Sequence, residues 1–439
     1  MSLPRYSEYK DSGVEWLGAV PGYWTVAPLK RSFQIVGGST PKSEQETYWD
    51  GEIVWVTPSD LSKLSSIGIN DSQRKITTEG LVSCGTTLVP FGSIVLSTRA
   101  PIGSLAIAET ELCTNQGCKS LVPFADIQSR FYGYLLSIST GELNIRGKGT
   151  TFLELSGDEL GAFKVGVPPN VEQQTIATFL DRETGKIDAL IAEQRRLVEL
   201  LAEKRQAVIS HAVTKGLNPN AKMKDSGIEW LGEVPEHWGR AQVGRVCKQV
   251  SDGPHFSPNY VDEGVMFLSA RNIGVESWHL DDAKYISEVD YLEFCRRVIP
   301  EIGDVLYTKG GTTGIARVVD LEDRFQVWVH VAVLKVDHDL IDPYYLAYAL
   351  NSVGCYEQSQ LHTRGATNQD LGLTRMTKIW FALPPLAEQL EIRAFLHREA
   401  AVFDTLTTEA NRAIELLQER RSALISAAVT GKIDVRENG

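Results

Sequence analysis

The sequence predicts an α+β fold duplicated in tandem: two mixed α/β domains separated by a pair of long antiparallel coiled-coil helices. Three observations carry this. A fifteen-residue signature occurs twice, as KDSGVEWLGAVPGYW (Lys10 to Trp24) and KDSGIEWLGEVPEHW (Lys224 to Trp238), identical at 11 of 15 positions. The segment Pro168 to Thr214 returns as Pro384 to Thr430; with one more residue on the N-terminal side, 24 of 48 ungapped positions are identical, at an offset of 216. Both copies of that segment carry an apolar stripe at heptad spacing. Self-similarity at a fixed offset marks a repeated structural unit, and equal spacing of the copies implies a pseudo-two-fold internal duplication.

The order is signature, middle, helix, then the same again. The segments are 1–166 (signature and first insert), 167–216 (central helix), 217–382 (repeated signature and second insert) and 383–439 (C-terminal helix). A chain of 439 residues exceeds what one core supports. With 43% hydrophobic and 23% charged residues it has an ordinary globular composition. No apolar run approaches the ~20 residues of a membrane helix. The start, MSLPRYSEYKDSG, has no apolar core of a secretory leader. Cys84, Cys113, Cys118, Cys247, Cys295 and Cys355 form no CxxC pair, which suits reduced thiols in a cytoplasmic protein.

Each element follows from local pattern. The signature tryptophans, Trp16, Trp24, Trp230 and Trp238, with Leu17, Val20, Pro21, Leu231, Val234 and Pro235, are expected to pack each insert against the base of a helix. Pro-Pro at 168–169 and 384–385 fits a helix entry, and Gly216 and Gly431 fit the stop. The seam of the first helix is read as Ile187, Leu190, Gln194, Leu197, Leu201, Lys204 and Val208. That of the second is Phe403, Leu406, Ala410, Ala413, Leu417, Arg420 and Leu424, widened by flanking Val198, Leu200, Ile209, Ile414, Leu416 and Ile425. Ile187 to Ala212 is 26 residues, roughly 39 Å of helix. A turn of B-DNA is about 34–36 Å, so such a rod permits a ruler for two reading heads. Two ordinary amphipathic helices in separate cores are the competing reading.

The inserts, 25–166 and 239–382, have nearly equal length and little sequence in common. A skeleton survives. IVWVTPSDL (Ile53 to Leu61) parallels VMFLSARNI (Val265 to Ile273), VPFGSIVLSTRAPIG (Val89 to Gly103) parallels IPEIGDVLYTKGGTTG (Ile299 to Gly314), and GKGTTFLELS (Gly147 to Ser156) parallels TRGATNQDLG (Thr363 to Gly372). IVWVT, GSIVLST, VMFLSA, DVLYTK and VWVHVAVLKV have strand composition. RFYGYLLSIS and DPYYLAYALNS read as short amphipathic helices. Polar loops between them supply the residue types that read base edges, Arg and Lys for guanine and Asn and Gln for adenine. The candidates are Arg99, Asn115, Gln116, Lys119, Arg146, Lys148, Thr150 and Thr151 in the first insert. In the second they are Arg271, Asn272, Lys309, Thr312, Arg364, Thr367, Asn368 and Gln369. The matched Gly-x-Thr loops at Gly149/Thr151 and Gly365/Thr367 give these clusters weight.

Charge speaks against an autonomous nucleic-acid binder. The net charge is −12. Residues 25–166 hold 12 Lys+Arg against 14 Asp+Glu, a net −2, and residues 239–382 hold 14 against 19, a net −5. Positive groups must gather on one face, or partners must supply them. Catalytic patterns are missing too. Asp342-Pro-Tyr-Tyr lacks the second proline of the D-P-P-Y motif of amino-methyltransferases and reads as a helix start. Gly310-Gly-Thr-Thr-Gly lacks the GK[ST] ending of a phosphate loop and reads as a turn. The eight histidines make no HxxH or HExxH spacing, so no metal site is expected, and His211 is assigned to helix packing.

The doubled DSG-[VI]-EW-LG-x-VP-x-x-W signature, the PPxxEQ helix entry and the ISxAVT ending resemble the specificity subunit of type I restriction-modification enzymes, across the whole chain and in the same order. That resemblance implies two target recognition domains, each reading one half of a bipartite double-stranded DNA site. Their separation would be fixed by the paired helices, which also dock methyltransferase subunits, two of them. Restriction/translocase subunits are the further partner it implies. The chain itself would be non-catalytic and carry no cofactor, with S-adenosylmethionine held by the methyltransferase. A protein–protein scaffold with two variable binding modules remains the competing function, and a self-sufficient methyltransferase the third.

Overall fold

The computed structural model describes residues 4–64, 66–99, 101–148, 153–364 and 370–436. The chain divides into two compact units, residues 1–194 with 412–439, and residues 195–411. Each unit therefore draws its helices from both copies of the long segment.

In the first unit a five-stranded sheet runs Phe33–Gly37, Cys118–Pro123, Ile94–Ser97, Leu105–Ala108, Gly68–Ile69, antiparallel except at its last pair. A three-stranded sheet places Trp49–Val56 between Cys113–Thr114 and Lys75–Ile76. Lys164–Val167 pairs with Thr25–Pro28, closing the insert on itself. The second unit repeats this order. Cys247–Asp252, Val331–Val336, Val305–Thr308 and Ala316–Val318 form an antiparallel sheet. Val265–Leu268 lies between parallel Phe325–Val327 and antiparallel Lys284–Ile286. Gly239–Gln242 pairs with Trp380–Leu383. The matching strands keep one order despite the divergent sequences, and the copies differ at sheet edges, where Gly68–Ile69 extends a sheet of the first unit and Tyr260–Val261 one of the second. The run VWVHVAVLKV, expected as one strand, is broken at Trp328–His330 into Phe325–Val327 and Val331–Val336.

The central strands Ile94–Ser97 and Val305–Thr308 are buried along their whole length, as a short continuous apolar run requires. Alternation sends their side chains to two cores. Ile94 and Leu96 join the cluster of the signature and helix Ser129–Ile138, while Val95 joins the cluster under the second sheet. Val305 and Tyr307 face the helix side and Leu306 the sheet side in the second unit. Helix Pro343–Leu350 starts where Asp342 caps it, the Tyr345 amide donating to Asp342 Oδ1 at 2.9 Å. The DPYY stretch is therefore a helix start. The Gly310–Gly314 stretch is the hairpin turn before Ala316–Val318; Gly103 (φ 109°) and Gly314 (φ 102°) hold equivalent left-handed positions.

The long helices are Asn170–Lys215 and Leu386–Val429. Within each unit their segments pair antiparallel. Arg421 grips Asp188 in the first unit at 2.8 and 3.2 Å. Arg205 pairs with Asp404 at 2.6 Å in the second. These are the same two positions of the repeat, Asp188 with Asp404 and Arg205 with Arg421, each at an offset of 216.

The seam differs from the expected register. Ile187, Leu201 and Phe403 are buried, and Val208, Leu417 and Leu424 partly so. Leu190 (52% exposed), Leu197 (41%) and Leu406 (41%) face solvent instead. Their places are taken one residue later by Ile191, Val198 and Thr407. The inner positions therefore advance by four and then three from Ile187, not three and then four. Apolar residues stand at both positions 190 and 191, so periodicity alone selects neither; the arginine–aspartate pairs, which place Arg205 and Arg421 inward, decide it. His211, assigned to packing, is exposed beside buried Ala212.

Candidate nucleic-acid interface

The two units build the same loop junction. In the first, Arg99 and Lys148 both bridge to Glu154 through backbone pairing, and the Leu155 amide donates to the Thr98 carbonyl at 2.9 Å. In the second, Gly310 and Arg364 both bridge to Asp370, and the Leu371 amide donates to the Lys309 carbonyl at 2.8 Å. The Gly-x-Thr loops spring from this junction. Their residues Gly149, Thr150, Thr151, Gly365, Thr367, Asn368 and Gln369 lie outside the described residues. The residues at the loop mouths are cationic in both copies: Lys148 and Arg364, both exposed.

Side chains at the first junction are ion-paired but exposed. Arg99 Nε meets Glu154 at 3.1 Å, and Lys148 Nζ meets Glu159 at 2.8 Å with the lysine 80% exposed. Arg146, in the last turn of helix Thr140–Arg146, lies 5.4 Å from the Phe163 ring. Gln116 is exposed and accepts from Thr40 Oγ1. Asn115 turns its Oδ1 inward to the Gly117 amide at 2.9 Å. Lys119 is half-buried in strand Cys118–Pro123 opposite Gly37. In the second unit Arg271 and Thr312 line one cavity of about 370 Å³ with Lys284, Tyr260 and Trp328.

Two candidates are structural. Asn272 is buried, and all its hydrogen-bonding positions are filled. Its Oδ1 accepts from the Ser269 amide and hydroxyl, both at 2.8 Å, and its Nδ2 donates to His279 O at 2.8 Å and Asp282 Oδ1 at 3.1 Å. A saturated amide has nothing left for a base edge. Asp60 occupies the equivalent place, accepting from the Thr57 amide at 2.8 Å. The S/T-x-x-D/N spacing in TPSD and SARN was the available signal for a capping box. Lys309 is also interior, held between Asp252 at 3.3 Å and Asp370 at 3.2 Å. Asp252 further holds Arg297 at 2.6 Å.

The repeated motifs meet in a foot under each insert. In the first unit Trp24 is fully buried and donates Nε1–H to Glu172 at 3.2 Å, while Tyr6 and Tyr23 hydroxyls donate to the same carboxylate at 2.7 and 3.0 Å. Burial and the adjacent carboxylate push the Tyr6 phenol far up and the Tyr23 phenol to about 12, so both stay donors at neutral pH. In the second unit Trp238 Nε1 donates to Glu388 at 2.8 Å and His237 Nε2 lies 2.6 Å from it. Beside each glutamate, Gln173 and Gln389 donate to the carbonyls of Pro168 and Pro384, both at 2.9 Å. This explains the EQ of PPxxEQ: the acid ties down the signature tryptophan and the amide closes the helix entry. Gly431 (φ 71°) abuts Pro21 and Trp24 so closely that a Cβ would collide, and Gly216 (φ 75°) abuts Trp238, where a Cβ would be crowded; at both, the positive φ favours glycine. Sequence reading placed Trp24 and Trp238 correctly but missed Glu172, Glu388 and Tyr6. Trp230, expected in packing, is 41% exposed.

The model of the type I restriction modification DNA specificity domain matches residues 21–200 and again 246–416. The chain belongs to this family. Each match covers one insert and most of the long helix that follows it. The specificity subunit of the type I restriction enzyme MjaIX from Methanocaldococcus jannaschii is 26% identical over 437 residues, covering 98% of both chains. That of EcoKI from Escherichia coli K12 is 22% identical, covering 95% of this chain and 90% of its own. Two solved structures share the fold. One, from work on complex assembly and conformational transition of the type I R-M system, has a TM-score of 0.71 at 17% identity over 93% of this chain and 98% of that one. The other, the HsdS subunit from Thermoanaerobacter tengcongensis, has a TM-score of 0.53 at 17% identity over 94% and 98%.

For a specificity subunit, sequence recognition of DNA is the family's task, and the duplicated junction sets loops of different sequence on matching backbone pairings. Among the described residues no cluster of His, Cys, Asp or Glu could hold a metal ion, and no helix is long and apolar enough to cross a membrane. The six cysteines are free.

Proposed function

We propose that the two inserts each read one half of a bipartite double-stranded DNA target. The paired long helices hold the halves at a constant, non-specific spacer, and the signature feet and helices dock two methyltransferase subunits, with restriction/translocase subunits joining that complex. One observation carries this reading: two inserts with the same strand order and the same junction, in which the loops differ in sequence but keep a cation at the mouth. Lys148, Arg364, Arg99 and Arg271 are the groups assigned to DNA. Exposed ion pairs such as Lys148–Glu159 contribute little to stability, so phosphate or a base edge can displace the carboxylate at small cost. The net charges of −2 and −5 on the inserts leave little non-specific attraction, so the methyltransferase supplies most of the clamp on the duplex. Catalysis and S-adenosylmethionine reside in the methyltransferase, and the complex works in the cytoplasm.

Co-expression with the cognate methyltransferase in a methylation-free host, followed by sequencing with base-modification detection, tests this. A split motif with two defined halves and a constant gap is the expected result. An active, stable complex that adds no methylation would refute it and favour a protein scaffold.

A further inference from the structure

The two feet are built alike and closed differently. Around Glu172, which is 5% exposed, the chain's own ends seal the site. Tyr6 supplies a hydroxyl at 2.7 Å, Val435 is fully buried, and the Arg436 guanidinium lies 5.2 Å from the Tyr6 ring and 5.8 Å from the Tyr23 ring. The Asp434 amide donates to Pro4 O at 2.8 Å, tying one end to the other.

The second foot has no such seal. The strand register is the same, Tyr9 opposite Pro21 and Met223 opposite Pro235, so the offset of 214 maps Tyr6 onto Asn220. Asn220 is exposed. Glu388 keeps its side chain 35% exposed and borders a cavity of about 410 Å³ lined by Gly216, Asn218, Ala221, Pro235, Glu391 and Ile392. The first foot shows what chemistry this shape accepts: an aromatic ring with a hydroxyl donor to the glutamate, whose carboxylate oxygens have lone pairs beyond those used by His237 and Trp238.

We infer that this cavity receives a tyrosine side chain presented by a partner polypeptide, its hydroxyl donating to Glu388 as Tyr6 donates to Glu172. The partner's identity as a methyltransferase subunit rests on the function proposed above; the chemistry of the cavity does not. Because the first foot is already filled from within the chain, the two ends of the duplication are unequal docking points.

Calorimetric titration of the full chain with N-acetyltyrosinamide and N-acetylphenylalaninamide tests the cavity. The tyrosine amide is expected to bind with a Kd on the order of 1 mM and the phenylalanine amide at least tenfold more weakly. Asn220→Tyr, which fills the cavity from inside the chain, is expected to abolish binding and raise the melting temperature. Equal binding of the two amides, no binding, or unchanged binding by Asn220→Tyr would overturn the inference. A second titration uses the purified cognate methyltransferase subunit, with an expected loss of at least tenfold for Asn220→Tyr. A wild-type complex that methylates, with the variant bound equally well, would overturn this inference and leave the specificity reading standing. A wild-type chain that takes the tyrosine amide but not the methyltransferase would support the cavity and refute the partner.

Discussion

Asn272 and Arg364 separate structural from reading roles at single side chains. Asn272 closes a capping box with Ser269 and spends all four hydrogen-bonding positions inside the fold. Asn272→Ala is expected to destabilise the protein by about 1–3 kcal/mol in urea denaturation and to leave the methylated motif unchanged. Arg364 is exposed at the mouth of the second loop. Arg364→Ala is expected to relax one base position of one half-site, with about 1–3 kcal/mol of lost discrimination, read from methylation rates on duplexes substituted at that position. Loss at both half-sites would contradict the assignment. Residue type alone put both on one list of candidates. What distinguished them was burial and partner count, and the S-x-x-N spacing was a cap signal that went unread. Glu172 and Glu388 were overlooked for the opposite reason: a glutamate at a helix entry looks like an ordinary first-turn acid, and only the fold brings a tryptophan 148 or 150 residues away in sequence onto it.

At the scale of elements, the long helices were legible from heptad spacing and the duplication, but their inward face was not. Ile191→Ala is expected to cost about 2–4 kcal/mol, as for a buried aliphatic, while Leu190→Gln stays within about 0.5 kcal/mol; thermal or urea unfolding checks both. The reverse ranking would restore the register first expected. The second long helix also carries a titrating group. His397 sits 5.0 Å from the Tyr344 ring and 5.8 Å from the Tyr348 ring. Burial, and then the nearby Arg393 charge, lower its pKa against an opposing pull from Asp342. A lowered pKa in the folded state means that the fold favours the neutral ring. Its contribution is full above the unfolded histidine value, about 6.5, and is lost as pH falls below it. The unfolding midpoint is therefore expected to drop as pH falls below about 6.5, and His397→Gln is expected to flatten that slope. An unchanged slope in the variant would assign the acid sensitivity elsewhere.

For the whole molecule, the tandem duplication, the α+β class and the shared strand order of the inserts followed from repeats, because repeats survive where loop sequences drift. Which bases are read did not, since the reading loops are the part in which the copies carry different residues. The division into units was also partly hidden: each unit recruits helix from both ends of the chain, residues 412–439 joining the first, which a linear segment list does not express. The central claim is that one insert reads one half-site. The most direct test exchanges residues 25–166 for the corresponding insert of another specificity subunit, co-expresses the hybrid with the cognate methyltransferase, and maps the modified bases. The account predicts a motif in which one half is replaced, while the other half and the second insert's preference persist. A motif changed in both halves, or not changed at all, would contradict it.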